Sequence, residues 1–164
     1  MSRCRLAVAI STIALGVSAC GPEVVEVEVN FPSQETFLRS QGARVFRFRL
    51  RSDQRGVCPK LLMETTLGQP SISPEWDSGL VSVCDLHAGL AVPIEGAGWE
   101  AFIVLIENED DRVLLTGCTV TIAAASGVAI RLSPTKDYVD LYVRAEAAPL
   151  TCKTAAEKCD AGCD

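Results

Sequence analysis

Residues 99–106 read Trp-Glu-Ala-Phe-Ile-Val-Leu-Ile, and from Phe102 to Ile106 no polar residue interrupts the run. The turn residues Glu107-Asn108-Glu109-Asp110-Asp111 follow at once, leaving no room for a helix. A short continuous apolar run of this kind predicts a β-strand buried on both faces. After the acidic turn, residues 113–122 return as the second arm of a β-hairpin. Gly117 beside Cys118 predicts a bulge or a close backbone approach within that arm.

Outward from this centre the sequence alternates. In residues 23–31, Val25, Val27, Val29 and Phe31 fall on one face and Glu26, Glu28 and Asn30 on the other, the period of a half-buried strand. Phe31-Pro32 ends it, and residues 33–41 are a loop or one helical turn. A second alternating strand puts Phe46, Phe48 and Leu50 inward and Arg47, Arg49 and Arg51 outward. Its basic row and the acidic row of the first strand predict that Glu26 and Glu28 lie across from Arg47 and Arg49, at about 0.2–1 kcal/mol per cross-strand pair. Residues 61–65, 80–84, 90–94, 128–132 and 138–143 are read as further short strands. Residues 67–79 are a loop rich in Pro, Ser and Gly that carries Trp76. The expectation is an all-β chain, a single sandwich of roughly seven to nine strands over residues 23–145. A Cys-rich tail, 146–164, holds at most a short helix.

The other end of the chain reads MSRCRLAVAISTIALGVSAC. Arg3 and Arg5 precede an apolar stretch of residues 6–17, far short of the roughly 20 residues a membrane-spanning helix needs. Its length and flanks are those of a signal peptide over residues 1–19. Val17-Ser18-Ala19-Cys20 resembles the lipobox of bacterial lipoproteins, and the resemblance covers the first twenty residues. In that family the cysteine thiol is acylated, with palmitate-type chains, and the leader is cut just before it. The resemblance therefore implies lipidation at Cys20 and a tether of residues 20–22. Gly21, in place of the Asp that favours inner-membrane retention, implies the outer membrane, on its periplasmic or cell-surface face. Cleavage by ordinary signal peptidase after Ala19 fits the same small residues. Several secreted lipoproteins are similar in architecture, with a lipobox, a short tether and an immunoglobulin- or transthyretin-like sandwich.

Without the leader about 145 residues remain, enough for one domain. The full chain carries a net charge of −6, and losing Arg3 and Arg5 makes it more acidic. Such a domain repels phosphate backbones, so nucleic acid is not an expected partner. Apart from Cys4 and Cys20 the cysteines are Cys58, Cys84, Cys118, Cys152, Cys159 and Cys163. An even set in an oxidising compartment reads as three disulfides, with 15 connectivities open. Three cysteines lie on each side of residue 146, so at least one bond must join the β region to the tail. The preferred pattern is Cys58 with Cys84, Cys118 with a tail cysteine, and the other two tail cysteines together.

Chemistry-bearing motifs are sparse. His87, the only histidine, sits in Asp85-Leu86-His87-Ala88-Gly89 without a Gly-x-Ser-x-Gly elbow, and is read as a turn residue. Cys152, Cys159 and Cys163 lack the Cys-x-x-Cys spacing of a zinc knuckle. Glu107, Glu109, Asp110 and Asp111 are the best candidates for hard-cation ligands, though they lack the Asp-x-Asp-x-Asp-Gly calcium loop and serve equally well as a solvated turn. Trp99 is read as core, and Trp76 as the candidate partner contact. No catalytic residue and no cofactor is expected. The chain reads as a non-enzymatic binding or structural component of the cell envelope with a protein partner. The alternatives are a small-ligand or calcium-binding surface module and an envelope enzyme with an unrecognised site.

Overall fold

The computed structural model describes residues 23–54, 56–96, 98–122, 127–145 and 148–162. The chain begins with β1 (Glu23–Asn30), α1 (Gln34–Arg39) and β2 (Gly42–Leu50). A 3-10 turn at Ser52–Gln54 leads to α2 (Cys58–Thr66), then β3 (Trp76–Asp77), β4 (Val81–Ser82), α3 (Val83–Ala88) and β5 (Leu90–Ile94). The hairpin β6 (Trp99–Glu107) and β7 (Val113–Ile122) follows, then β8 (Gly127–Arg131) and β9 (Ser133–Pro134). α4 (Lys136–Tyr138) runs on as a wide π-type coil at Val139–Arg144, and a similar coil at Glu157–Ala161 lies in the tail.

The strands form two packed sheets. The larger has the order β3-β2-β6-β7-β9, with β4 also on β2, and the smaller has the order β5-β1-β8. β1 pairs antiparallel with β5 and parallel with β8. Between the sheets, Ala43, Val45, Phe102, Val104 and Ile106 pack against Val25, Val27, Val92, Ile94, Val128 and Ile130. The opposite face of the larger sheet is also covered. There Phe46, Phe48, Leu50, Ala101, Ile103 and Leu105 bury Leu61 of α2. β6 is thus enclosed on both sides, as its unbroken apolar run predicts.

Several short segments differ from expectation. Residues 61–65 belong to α2 rather than a strand: Pro59 sits in its first turn, where a missing N–H costs nothing, and Thr65 Oγ1 donates 2.7 Å to Leu61 O. Of residues 80–84 only Val81–Ser82 pairs as a strand, because the Ser82 hydroxyl accepts from Cys84 N at 3.1 Å and starts α3. α3 ends at Gly89, whose φ of +104° an L side chain rarely adopts. Residues 138–143 are helical, not extended. Thr135 caps the segment, and Lys136, Asp140 and Arg144 form i,i+4 ion pairs along it.

Gly117 is a point of close approach. A Cβ there would lie 2.6 Å from Ile130 Cγ2 and 2.8 Å from Arg131 O. The hairpin's register break lies instead between Ile106 and Glu107.

The two charged rows do not meet. β1 lies in the smaller sheet and β2 in the larger, so Glu26 and Glu28 are not across from Arg47 and Arg49. Exposed ion pairs contribute too little to choose a strand's partner, which the apolar faces decide. Nor does Arg47 point outward. It shares a face with Val45, between the sheets, and is 4% exposed.

Candidate functional site

Where β1 ends, Phe31-Pro32-Ser33 turns the chain into α1. Ser33 and Thr36 form a capping box: Thr36 N donates to Ser33 Oγ at 3.2 Å and Ser33 N to Thr36 Oγ1 at 3.1 Å. The fixed turn sets the Phe31 and Phe37 rings edge to face, 5.1 Å apart. From α3, His87 lays its ring 4.7 Å from that of Phe37. Together with Val29, Asn30, Ser33, Gln34 and Ala155 these rings line an open groove of about 380 Å³. Its lining mixes apolar Val29, Phe31, Phe37 and Ala155 with polar Asn30, Ser33, Gln34 and His87. His87 contacts the rings of Phe31 and Phe37, with centroids 6.5 and 4.7 Å away.

The tail forms one wall of this groove. Phe37, Leu38, Val83 and Cys152 make a small separate core, with Leu150 and Ala155 packed on it. Lys158 Nζ donates to Leu38 O at 2.7 Å and also to Ser40 O, satisfying carbonyls at the end of α1. Burial holds the Lys158 amine below its ordinary range. Gln34 Nε2 donates to Lys153 O at 2.5 Å.

The disulfides differ from the preferred pattern. Cys58 bonds Cys118, fixing the start of α2 to β7, and Cys84 bonds Cys159, fixing α3 to the tail. Cys58 does not pair with Cys84, because α2 and α3 lie on different sides of the larger sheet. Cys118 faces α2 rather than the tail, and Cys159 does not pair within the tail. Cys152 is buried and disulfide-bonded. Cys163 and Cys20, with residues 1–22, lie outside the described residues.

At the hairpin tip, Asn108 organises the turn. Its Oδ1 accepts from Asp110 N at 3.1 Å and Arg112 N at 3.0 Å, and Asp111 takes a φ of +58°. Among the described residues no three His, Cys, Asp or Glu side chains gather as metal ligands, although Glu107, Glu109 and Asp111 line one open cavity of about 340 Å³. Burial raises the Glu107 carboxyl above its ordinary range, Arg44 opposing and Asp111 adding. A raised native pKa means stability fully present below the unfolded value of 4.5 and lost as pH rises through the native one. Glu107→Gln should therefore flatten that fall and shift stability near neutral pH by no more than about 0.5 kcal/mol, upward. Melts of both proteins from pH 4 upward check this. A calcium site using Glu107 would instead show the variant losing a calcium-dependent rise in Tm.

Trp76 lies on β3 opposite Arg47 and packs half-buried against the main core, which leaves only part of its ring for a partner. Trp99, half-buried, packs on the α2 side of the larger sheet.

One pair of residues escaped the reading of the sequence. Arg47 Nη1 donates to both carboxylate oxygens of Glu100 at 3.3 Å, with side-chain exposures of 5% and 1%. Burial raises the Glu100 carboxyl, outweighing the attraction of Arg47 and Arg49. Arg47 Nε is buried without a partner. A lone Glu inside a strand enclosed on both faces was the available signal, since a buried carboxylate needs a cation. Comparison of the chain with protein-family models, curated proteins and solved structures finds no match in any of the three.

Proposed function

We propose that this chain is a lipid-anchored protein of the outer membrane, acylated at Cys20, acting as a non-enzymatic binding or structural component of the cell envelope. The observation carrying the reading is Val17-Ser18-Ala19-Cys20 placed directly behind a signal-type apolar segment. The cross-links Cys58–Cys118 and Cys84–Cys159 support an exported life, since such bonds persist in oxidising compartments. Its contact with a partner protein is the aromatic groove of Phe31, Phe37 and His87. The finer form of the fold, an immunoglobulin- or transthyretin-like sandwich, belongs to the same proposal and rests on the two-sheet packing.

Cys20→Ser should move the protein from the membrane to the soluble fraction and remove its acyl mass. Two or three acyl chains at about 0.8 kcal/mol per buried methylene make the anchor effectively permanent, so the shift should be nearly complete. A variant that still pellets, beside a wild type without acyl mass, overturns the reading.

A second reading, a small-ligand module, is favoured by the size of the groove, which falls in the range of about 300–1,000 Å³ usual for small-molecule sites. His87→Ala separates both from an enzyme. Either binding reading expects weakened binding and no lost turnover, and loss of a turnover with the fold intact would point to catalysis.

A further inference from the structure

We propose that the groove of Phe31, Phe37 and His87 takes its partner as an added strand, an extended basic peptide that pairs with β1 at Val29 and lays apolar side chains against the rings. The proposal rests on the reading of this groove as the partner contact and states what the partner must present.

β1 has an open edge beside the groove. Its antiparallel ladder with β5 stops at Val27 and Leu90, whereas its parallel ladder with β8 continues to Asn30 and Arg131. The chain leaves the line of β5 at Gly89, where a φ of +104° ends α3. Asn30 O accepts from Leu132 N at 3.0 Å, so Asn30 turns its backbone polar groups toward β8. Successive residues of a strand turn theirs to opposite sides, so Val29 presents its N–H and C=O where β5 has ended. Among the described residues no turn, loop or cap bond reaches either group.

The groove opens on that side. His87, from the helix that precedes β5, lines it with Val29 and Asn30, and neither Arg131 nor Leu132 of the β8 side does. A segment placed there continues the line of β5 and forms with Val29 the two-bond pair of an antiparallel ladder. The side chain opposite Val29 falls on the inner face, which Val29 and Phe31 share and where Phe37 and His87 stack beside Phe31. Its two neighbours in the peptide fall on the outer face.

Charge selects those neighbours. On the outer face the exposed acids Glu26 and Glu28 lie on β1 itself, and exposed Arg131 lies one strand further from the open edge. α3 adds exposed Asp85. The tail sets Lys153 against Glu157 and Asp160, while Arg39 is paired with Glu35 and Lys158 is spent on carbonyls at the end of α1. The surroundings are net negative, so lysine or arginine belongs at the outward positions. The recognised pattern is apolar, basic, apolar in extended form.

Peptide selection tests the proposal. The exported, oxidised chain carrying Cys20→Ser is panned against random heptapeptides, and the binders should carry apolar residues two apart with lysine or arginine between them. The best is synthesised plain and N-methylated at both apolar residues, which removes the strand's donors and keeps every side chain. N-methylation should weaken binding about tenfold, the loss of one or two hydrogen bonds. The plain peptide should slow amide exchange at Val29 and leave residues 108–111 unchanged. Glu28→Lys should weaken binding several-fold and turn the selection toward acidic peptides. Equal binding of the plain and methylated forms overturns strand addition and leaves the groove as a contact made by side chains alone. Binders that protect residues away from 29–37 and His87 overturn both this proposal and the groove as the partner contact. A selection without binders also overturns the proposal, and a photoreactive residue in place of Gln34 then reports from intact cells whether the groove still meets a partner. Protection of Val29 that rises with the concentration of the peptide-free chain overturns it too, making the edge a contact between copies.

Discussion

Replacing Arg47 with methionine should cost the fold about 3–5 kcal/mol, because it leaves the Glu100 carboxylate between the two sheets without its cation. Domains of this size are stable by only about 5–15 kcal/mol, so the loss is about a fifth or more of the whole. The pair itself is not a strong source of stability. Its contacts are long at 3.3 Å, Arg47 Nε is unsatisfied, and burial keeps the Glu100 carboxyl above its ordinary range. The double variant Arg47→Met, Glu100→Leu should therefore recover most of the loss, since apolar replacements of a buried pair are often neutral or better. The single variant should also regain stability as pH falls toward the unfolded value of 4.5, because a raised native pKa favours the folded state where the group is protonated. Denaturant melts of the three proteins at two pH values decide it. A single-variant loss below about 1 kcal/mol would mean that Arg49 had taken over the pairing, and the account of an isolated pair would fail.

Breaking Cys84–Cys159 should have the next largest effect. The two residues are 75 apart in sequence, and closing a loop of that length contributes about 3–5 kcal/mol by restricting the unfolded chain. Besides the disulfide of Cys152, the tail is held by the cap of Lys158 on α1, the bonds from Gln34 and Arg39, and the minor core around Phe37. With both cysteines changed to serine, Tm should fall and trypsin should cut first at Lys153 or Lys158. The groove should lose its Ala155 wall, and with it affinity for whatever binds there. Cys58–Cys118 serves as the control, because its loss loosens α2 on the other side of the larger sheet and should leave those tail sites protected. A double-serine protein with an unchanged melt and an uncut tail would show that the small core and the disulfide of Cys152 hold the tail without Cys84–Cys159.

Much of the sandwich was readable from period alone. Val25 and Val27 of β1 and the apolar run of β6 are buried as their spacing demands. The segments expected as strands but found helical share one origin, apolar residues that fit a strand beside short-range helix signals. Pro59, Ser82 and Thr135 each mark a helix start, and each was outvoted by nearby apolar residues. The groove was legible only in fragments. His87 and Phe31 were visible as residues, but nothing local joins a turn after β1 to a helix more than fifty positions later.

By itself the sequence determined that strands build this protein, which residues share a face, where the hairpin turns, and that the cysteines must tie the β region to the tail. These follow from backbone geometry and counting, which act over a few residues or not in space at all. Only the tertiary structure decided which face of β2 meets the second sheet, and so whether Arg47 is solvated or buried beside Glu100. It also decided which cysteines meet and which strand lies beside β1. A period of two assigns side chains to two faces but cannot say what covers either one, and that choice is made by the packing of whole apolar surfaces, worth far more than any charge pair on their rims.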